Sequence, residues 1–287
     1  MKILCFVNML FRHFIFQKKR DTSNINIIEL KIIIKYFLKI LKYYSKNKKY
    51  INKNTFRIFN SMLNNRKQNI PMNYITGQQE FYIKNFFINK NVLIPRSDTE
   101  FLIDVLLFYI KKDKIKLFEL GTGSSIISTI LNKKRPNWNI NISDISENAL
   151  NIAIYNIKNY IKKKFQKKIG FYHGNWISSL PKRLIGKIDV VISNPPYICI
   201  NDLKKHIKKI KKEPKDSLYA KSNGYFNYIE IIYNANKYLK KNGILFFEHG
   251  INQAKVIRKI LFFYKYVKIR TIKDLNKIDR ITIALKR

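Results

Sequence analysis

The fold follows from one stretch, Ile188-Asp189-Val190-Val191-Ile192-Ser193-Asn194-Pro195-Pro196-Tyr197. Its first six residues form a short, mostly β-branched apolar run that reads as a strand buried on both faces of a parallel sheet. Two prolines end it, because proline lacks the N–H that a ladder needs and has a fixed φ. The residues before each proline, Asn194 and Pro195, are biased to extended or turn conformations. The Asn194 amide and nearby carbonyls therefore project rigidly past the carboxyl end of the strand, where open α/β sheets bind ligands. Stiffly held acceptors beside the Tyr197 ring suit the grip of a planar NH₂ group. Taken alone, the tetrapeptide also fits a plain strand terminator with a packing tyrosine.

Outward from this strand, the chain alternates strand and helix. Strands are predicted at Lys116–Leu120, Asn139–Ser143, Gly170–His173, Ile188–Ser193 and Gly243–Glu248, with two more near Tyr266–Thr271 and Arg280–Leu285. Helices are predicted from Ser125, from Glu147 and near Gln253–Tyr264. This order implies an α/β fold, a doubly wound, mostly parallel seven-stranded Rossmann-like sheet. No helix is evident between the last two strands, so an antiparallel edge hairpin is expected. Upstream, Asn24 to Tyr44 has helical periodicity. Lys31, Lys35, Lys39 and Lys42 share one face, and Ile33, Ile34, Phe37, Leu38 and Leu41 fill the others. A second helix is expected from Thr55 to Asn65. The organisation read from the sequence is an extension at 1–23, a small helical substrate-recognition domain at 24–70, a hairpin or linker at 71–98, and a catalytic domain at 99–287. Within the linker, Glu80–Ile88 and Val92–Pro95 look like strands turning at Asn89-Lys90-Asn91, followed by an amphipathic helix from Thr99 to Lys111.

Composition narrows the setting. The 287 residues carry 57 Lys+Arg against 18 Asp+Glu, a formal net charge of +39. Such a charge suits nucleic acid or a membrane surface. The lysines, however, spread along the whole chain rather than forming one stripe, which favours a compositional origin. The basic run Lys204–Lys212 reads as a solvated loop for the same reason. Two cysteines make no disulfide framework at this length, and a reducing cytoplasm is expected. Asn8, Arg12 and His13 interrupt the apolar start, so it is not read as a signal peptide, and no run is long and uncharged enough for a membrane span.

Other turns fall on the same sheet edge as Asn194. After the first strand comes Glu119-Leu120-Gly121-Thr122-Gly123-Ser124-Ser125, a glycine turn that lets a ligand approach the backbone. It is not G-x-G-x-x-G, because Ile126 takes the third position, and by itself it is an ordinary strand-to-helix turn. Asp144 ends the second strand, where an acidic residue can accept from a ribose diol. It serves equally as an N-cap for a helix over Ile145–Ala153. Asn175-Trp176 after the third strand suits hydrogen bonding to and stacking on a purine, although a lone tryptophan is more often core. In combination the four turns describe an adenosine cofactor with a substrate amine beside it.

At these residues the chain resembles the release-factor glutamine methyltransferase family. The resemblance rests on Tyr74-Ile75-Thr76-Gly77, Glu80-Phe81-Tyr82, Leu93-Ile94-Pro95-Arg96-Ser97-Asp98-Thr99-Glu100, Asp144-Ile145-Ser146 with Ala149-Leu150, Ser193-Asn194-Pro195-Pro196-Tyr197-Ile198, Glu248-His249-Gly250 with Gln253, and Asp274-Leu275 with Asp279-Arg280. It runs from about Pro71 onward. It implies S-adenosyl-L-methionine as cofactor, held by Gly121, Thr122, Gly123, Ser124, Ser125, Asp144, Asn175, Trp176 and Asn194. It also implies methyl transfer to a glutamine amide nitrogen of peptide-chain release factors, in translation termination, with Asn194, Pro195, Pro196 and Tyr197 as the catalytic set. A cytoplasmic monomer needing no metal, membrane or nucleic acid is expected. Three positions depart from the family pattern: Ser125 stands at a usual glycine, Ser97 at a usual proline, and Asn175 at a common acidic residue. His249 is read as structural. Two other readings compete: an amino-methyltransferase acting on adenine or guanine in DNA or RNA, and a non-catalytic basic RNA-binding protein on the same fold. The signature around Arg96–Glu100 disfavours the first, and the intact glycine turn, Asp144 and Asn194–Tyr197 disfavour the second.

Overall fold

Period-two alternation sorts the strand side chains onto two faces, and each face has its own core. In the computed structural model, residues 25–44, 53–199 and 212–287 are described. The extension 1–23, the connector near residues 45–52 and all of the basic run except Lys212 lie outside the described residues. The chain divides into a unit ending at Gly77 and a second spanning Gln78–Arg287.

The first unit contains helices α1 (Ile27–Tyr44), α2 (Lys53–Lys67) and α3 (Met72–Thr76). Leu30, Ile33, Ile34, Phe37 and Leu41 of α1 pack on Phe59 and Met62 of α2, while Lys31, Lys35 and Lys39 face solvent. Asn26 and Glu29 start α1 as a reciprocal cap: Glu29 N–H donates to Asn26 Oδ1 (2.9 Å), and Asn26 N–H donates to Glu29 Oε2 (3.1 Å). Arg66 of α2 pairs with Glu29 and ties the two helices together.

The second unit opens with hairpin β1 (Gln78–Phe81) and β2 (Lys84–Phe87). Its turn is Tyr82-Ile83, not the expected Asn89-Lys90-Asn91. Both turn residues have positive φ, 47° and 58°, the conformation of a two-residue hairpin loop. Tertiary contacts hold them there. Tyr82 N–H donates to Glu100 Oε1 (2.9 Å), and its hydroxyl donates to Asp104. Asn89 instead closes a local turn, its Oδ1 accepting from Asn91 N–H (2.9 Å).

Helix α4 (Asp98–Tyr109) then leads into β3 (Lys116–Leu120), α5 (Ile126–Lys134), β4 (Asn139–Asp144), α6 (Glu147–Tyr160), α7 (Lys163–Gln166), β5 (Ile169–His173) and β6 (Ile188–Ser193). Helix α8 (Phe226–Tyr238), β7 (Leu239–Glu248), α9 (Ala254–Phe263), β8 (Tyr266–Lys273) and β9 (Asp279–Lys286) complete it. The sheet order is β5-β4-β3-β6-β7-β9-β8, parallel from β5 to β7 and antiparallel at β9 and β8. The expected seven-stranded, mostly parallel sheet is therefore present. The last strand in sequence, β9, is not at the edge; it lies between β7 and β8, with β8 outside it.

Leu117, Ile140, Val190, Ile192 and Phe246 face the core under α4, α5 and α6. Their neighbours Phe118, Leu120, Val191, Leu245 and Phe247 face the core under α8 and α9. A buried phenylalanine at such a position contributes on the order of 3–5 kcal/mol relative to alanine. The exposed edge strand β8 carries Lys268, Arg270 and Lys273 in solvent, charges that discourage pairing with another chain.

Candidate active site

Strands β3, β4, β5 and β6 end in register, with Leu120 opposite both Ser143 and Ser193, and Asp144 opposite His173. One sheet edge therefore carries every turn singled out in the sequence. The glycine turn is locked from below. Glu119, 1% exposed, accepts from Ser128 N–H (3.0 Å) and from the Ser128 hydroxyl in the first turn of α5. Burial pushes its carboxyl up to about 7. Thr122 N–H donates to the Ser143 carbonyl (2.9 Å), and Ser193 Oγ donates to the Leu120 carbonyl (2.9 Å). These bonds fasten the turn to both neighbouring strands.

Gly121 has φ +68° beneath the Trp176 ring, which a Cβ would meet at 3.0 Å. That close approach explains the glycine. Gly123 N–H donates to Asp144 Oδ2 (2.9 Å), and a Cβ on Gly123 would meet only open space. Asp144 Oδ1 accepts from Ser146 N–H (2.9 Å). Burial raises the Asp144 carboxyl above its ordinary range despite these donors, so further donors would stabilise its charged form. Asp144 is not the helix cap. Ser146 holds that position for α6, its hydroxyl accepting from Ala149 N–H (3.2 Å).

Ser125 takes the N-cap position of α5 in the left-handed region, φ 59° and ψ 31°, and makes no side-chain cap bond. It is fully buried, and its hydroxyl has no partner among the described residues. The glycine of the family pattern would relieve both features. Asn175 is drawn outward, its Nδ2 donating to Glu230 Oε1 of α8 (2.7 Å), which leaves Oδ1 as the free acceptor. Asn156 on α6 could not be read from sequence as part of this edge. It is fully buried. Its Oδ1 accepts from Phe87 N–H (2.9 Å), and its Nδ2 donates to the carbonyls of Phe87 (2.9 Å) and Ser124 (2.9 Å). The one available signal was an asparagine on the otherwise apolar face of α6.

Beyond β6 the backbone is clamped. Asn227 Nδ2 donates to the Pro196 carbonyl (2.8 Å), and Gln253 Nε2 donates to the Tyr197 carbonyl (3.0 Å). Gln253 is itself fixed by Gly250 N–H, which donates to its Oε1 (2.9 Å). Ile198 bonds both ways across the loop: its N–H donates to the Leu218 carbonyl (3.0 Å), and its carbonyl accepts from Ala220 N–H (3.0 Å). Gly224 has φ +92° directly against the Tyr197 carbonyl, with which any Cβ would overlap. Asn194 Nδ2 donates to Thr99 Oγ1 (3.2 Å), which donates to Glu248 Oε2 (2.8 Å). The Pro195 carbonyl and Asn194 Oδ1 accept from no described residue. Burial pushes the Tyr197 hydroxyl up to about 12, so it stays neutral. His249 is structural: Nδ1 bonds the Gly250 carbonyl and Nε2 bonds Thr282 Oγ1.

The segment Ile94–Glu100 also finds its partners within this unit. Arg96 pairs with Glu213 (2.7 Å), whose other oxygen accepts from Ile94 N–H (3.2 Å). Arg280 joins Asp98 (3.3 Å) to Asp274 (3.2 Å). The position that departs from the family pattern, Ser97, makes no side-chain cap bond.

An open glycine turn, a carboxylate that burial keeps above its ordinary range, an aromatic face over the turn and an unpartnered buried hydroxyl fit an adenosine cofactor with a charged amino-acid tail. With the acceptor-lined Asn-Pro-Pro-Tyr corner beside them, fold and site define an S-adenosylmethionine-dependent methyltransferase. The family model "Methyltransferase small domain" matches residues 97–268. A release factor glutamine methyltransferase of Coxiella burnetii is 35% identical, over 79% of this chain and 79% of its own length. One from Enterococcus faecalis is 35% identical, over 75% of each. The chain belongs to the release factor glutamine methyltransferase family. A methyltransferase structure from Pyrococcus furiosus, 15% identical, superposes with a TM-score of 0.53 over 71% of this chain and 90% of that one, a likeness of fold.

Proposed function

We propose that this enzyme methylates the side-chain amide nitrogen of a glutamine in peptide-chain release factors. Asn194, Pro195, Pro196 and Tyr197 form its catalytic corner. One observation carries the reading: Asn194 commits its Nδ2 to Thr99, so Oδ1 is left as acceptor beside the Pro195 carbonyl. Two fixed acceptors match the two hydrogens of a primary amide.

An amide nitrogen is a poor nucleophile because its lone pair is delocalised into the carbonyl. Asn194 Oδ1 and the Pro195 carbonyl accept its hydrogens and hold the nitrogen in one orientation. Pro196 keeps the corner rigid, and Tyr197, neutral throughout, packs the glutamine stem. When bound, S-adenosylmethionine would supply an electrophilic sulfonium methyl whose loss leaves a neutral thioether. One amide hydrogen, already directed at an acceptor, leaves as a proton to water. Catalysis here is positioning and preorganised electrostatics. Gly121, Thr122, Gly123, Ser124 and Ser125 would line the methionine end of the cofactor, with Asn194 beside it. Asp144 would accept from the ribose hydroxyls, and Asn175 and Trp176 would meet the adenine. The helical unit would recognise the release factor. The enzyme would act as a cytoplasmic monomer without nucleic acid; no helix among the described residues is long and apolar enough to cross a membrane.

The test offers methyl-labelled cofactor with release factor, DNA or RNA in separate reactions. Label on a release-factor glutamine, lost in Asn194→Ala with cofactor binding retained, is expected. Label on nucleic acid alone, or normal turnover by Asn194→Ala, overturns the proposal.

A further inference from the structure

We propose that Thr99 and Glu248 are positioning residues that fix which end of the Asn194 amide faces the substrate. The inference rests on the reading of Asn194 as the amide grip and adds what makes that grip one-sided. The two ends of an asparagine amide are nearly the same size, and only hydrogen bonding distinguishes them. A flipped Asn194 would present NH₂ to the NH₂ of the substrate, donor against donor.

The buried chain of donors prevents the flip. Glu248, 2% exposed at the end of β7, is acceptor-only when ionised. Thr99, 5% exposed in the first turn of α4, gives its single hydroxyl hydrogen to Glu248 Oε2 (2.8 Å). Its oxygen can then only accept, and the group it meets at 3.2 Å is Asn194 Nδ2. Turning the amide over would set Oδ1 against a buried oxygen with no hydrogen to offer. An unmade bond of this kind disfavours the flipped form by about fivefold or more.

The direction of the chain depends on Glu248 being charged. Burial, with a smaller push from Asp98, raises its carboxyl to about 7, while Thr99, Arg280 and Asn194 act in the opposite sense. The other titratable groups facing it are Tyr197 and Tyr228. Burial holds both phenols above their ordinary range, so both stay neutral near pH 7. As pH falls through about 7, Glu248 takes a proton, Thr99 loses its fixed acceptor, and Asn194 loses its imposed orientation. Activity is therefore present above that pH and lost below it.

The experiment measures single-turnover methyl transfer by the full chain against pH, with cofactor and release factor saturating. Thr99→Val keeps the shape of the side chain and removes the hydroxyl. Glu248→Gln keeps the shape and removes the ionisation. Each is expected to lower the rate constant about tenfold or more, because misdirected contacts around a reacting atom cost up to about 10²-fold. Cofactor Kd should stay within about threefold, while substrate KM should rise as the rate falls, since the grip is made to the bound amide before the methyl moves. Thr99→Ser should restore the rate, and the wild-type bend near pH 7 should vanish in Glu248→Gln. A merely structural tie between β7 and α4 would lower the melting temperature and leave the bend and the rate of the folded enzyme unchanged. That result in Thr99→Val, with Asn194→Ala inactive, overturns the positioning role alone. Turnover by Asn194→Ala overturns the grip and this inference together. If Glu248→Gln does not fold, Thr99→Val and Thr99→Ser carry the same test.

Discussion

Replacing Ser125 by glycine should stabilise this protein although it removes atoms from a fully buried position. The residue sits at φ 59°, ψ 31° with an unpartnered hydroxyl. A side chain held in the left-handed region costs about 1–2 kcal/mol. An unsatisfied buried hydroxyl adds about 1–3 kcal/mol. Against this, glycine gives back about 0.5–1 kcal/mol through the freedom it regains on unfolding. The balance favours glycine by about 1 kcal/mol or more, a rise in melting temperature of about 2–4 °C for a chain of this size. Alanine separates the two causes, because it removes the hydroxyl and keeps the Cβ at positive φ. Thermal melts followed by circular dichroism, with urea midpoints as a second measure, should rank glycine above alanine, and alanine at or above serine. If alanine gains as much as glycine, backbone strain is not the cause. A glycine variant less stable than the wild type would refute the reasoning outright.

Asp144→Ala should weaken cofactor binding by about 10- to 100-fold, the worth of one or two charge-assisted hydrogen bonds; calorimetry showing an unchanged Kd would leave Asp144 as no more than the partner of Gly123 and Ser146. Asn156→Ala leaves the Phe87 N–H and the Phe87 and Ser124 carbonyls without their partner, so denaturant titration should find a loss of about 2–4 kcal/mol. Gly224→Ala forces a Cβ onto the Tyr197 carbonyl at φ +92°; the methyl-transfer rate should fall about tenfold or more while cofactor Kd holds, and an undiminished rate would show that the loop yields without moving Tyr197.

The elements legible in the sequence are those whose pattern is local. Val190, Val191 and Ile192 could hardly be other than a buried strand, and the prolines fixed its end. The glycine turn, Asp144 and the Asn-Pro-Pro-Tyr corner were placed on one edge because parallel strands end together. What escaped depended on distant partners. Tyr82-Ile83 carries none of the Asn-Gly chemistry of a tight hairpin turn; Glu100 and Asp104 hold it in place. Helix α8 was missed because asparagine, tyrosine and lysine dilute its pattern. Its signal was still present, since Tyr228, Ile231, Ile232, Ala235 and Tyr238 are all buried and repeat at helical spacing. Asp144 and Ser146 both suit a helix cap, and only the geometry assigns that role to Ser146. The one-way chain from Asn194 through Thr99 to Glu248 joins residues 95 and 149 positions apart, a separation that no local pattern encodes.

The placement of β9 between β7 and β8 also sets an order of assembly. β8 is synthesised before β9 yet can join the sheet only through it. While β9 is still being made, β7 shows a bare edge and β8 has no neighbour in the sheet. Unpaired edges of this kind are where nascent and refolding chains associate wrongly. The parallel half, with its glycine turn and Asn-Pro-Pro-Tyr corner, can form early. Closing the sheet waits on one late strand that must slide between two partners.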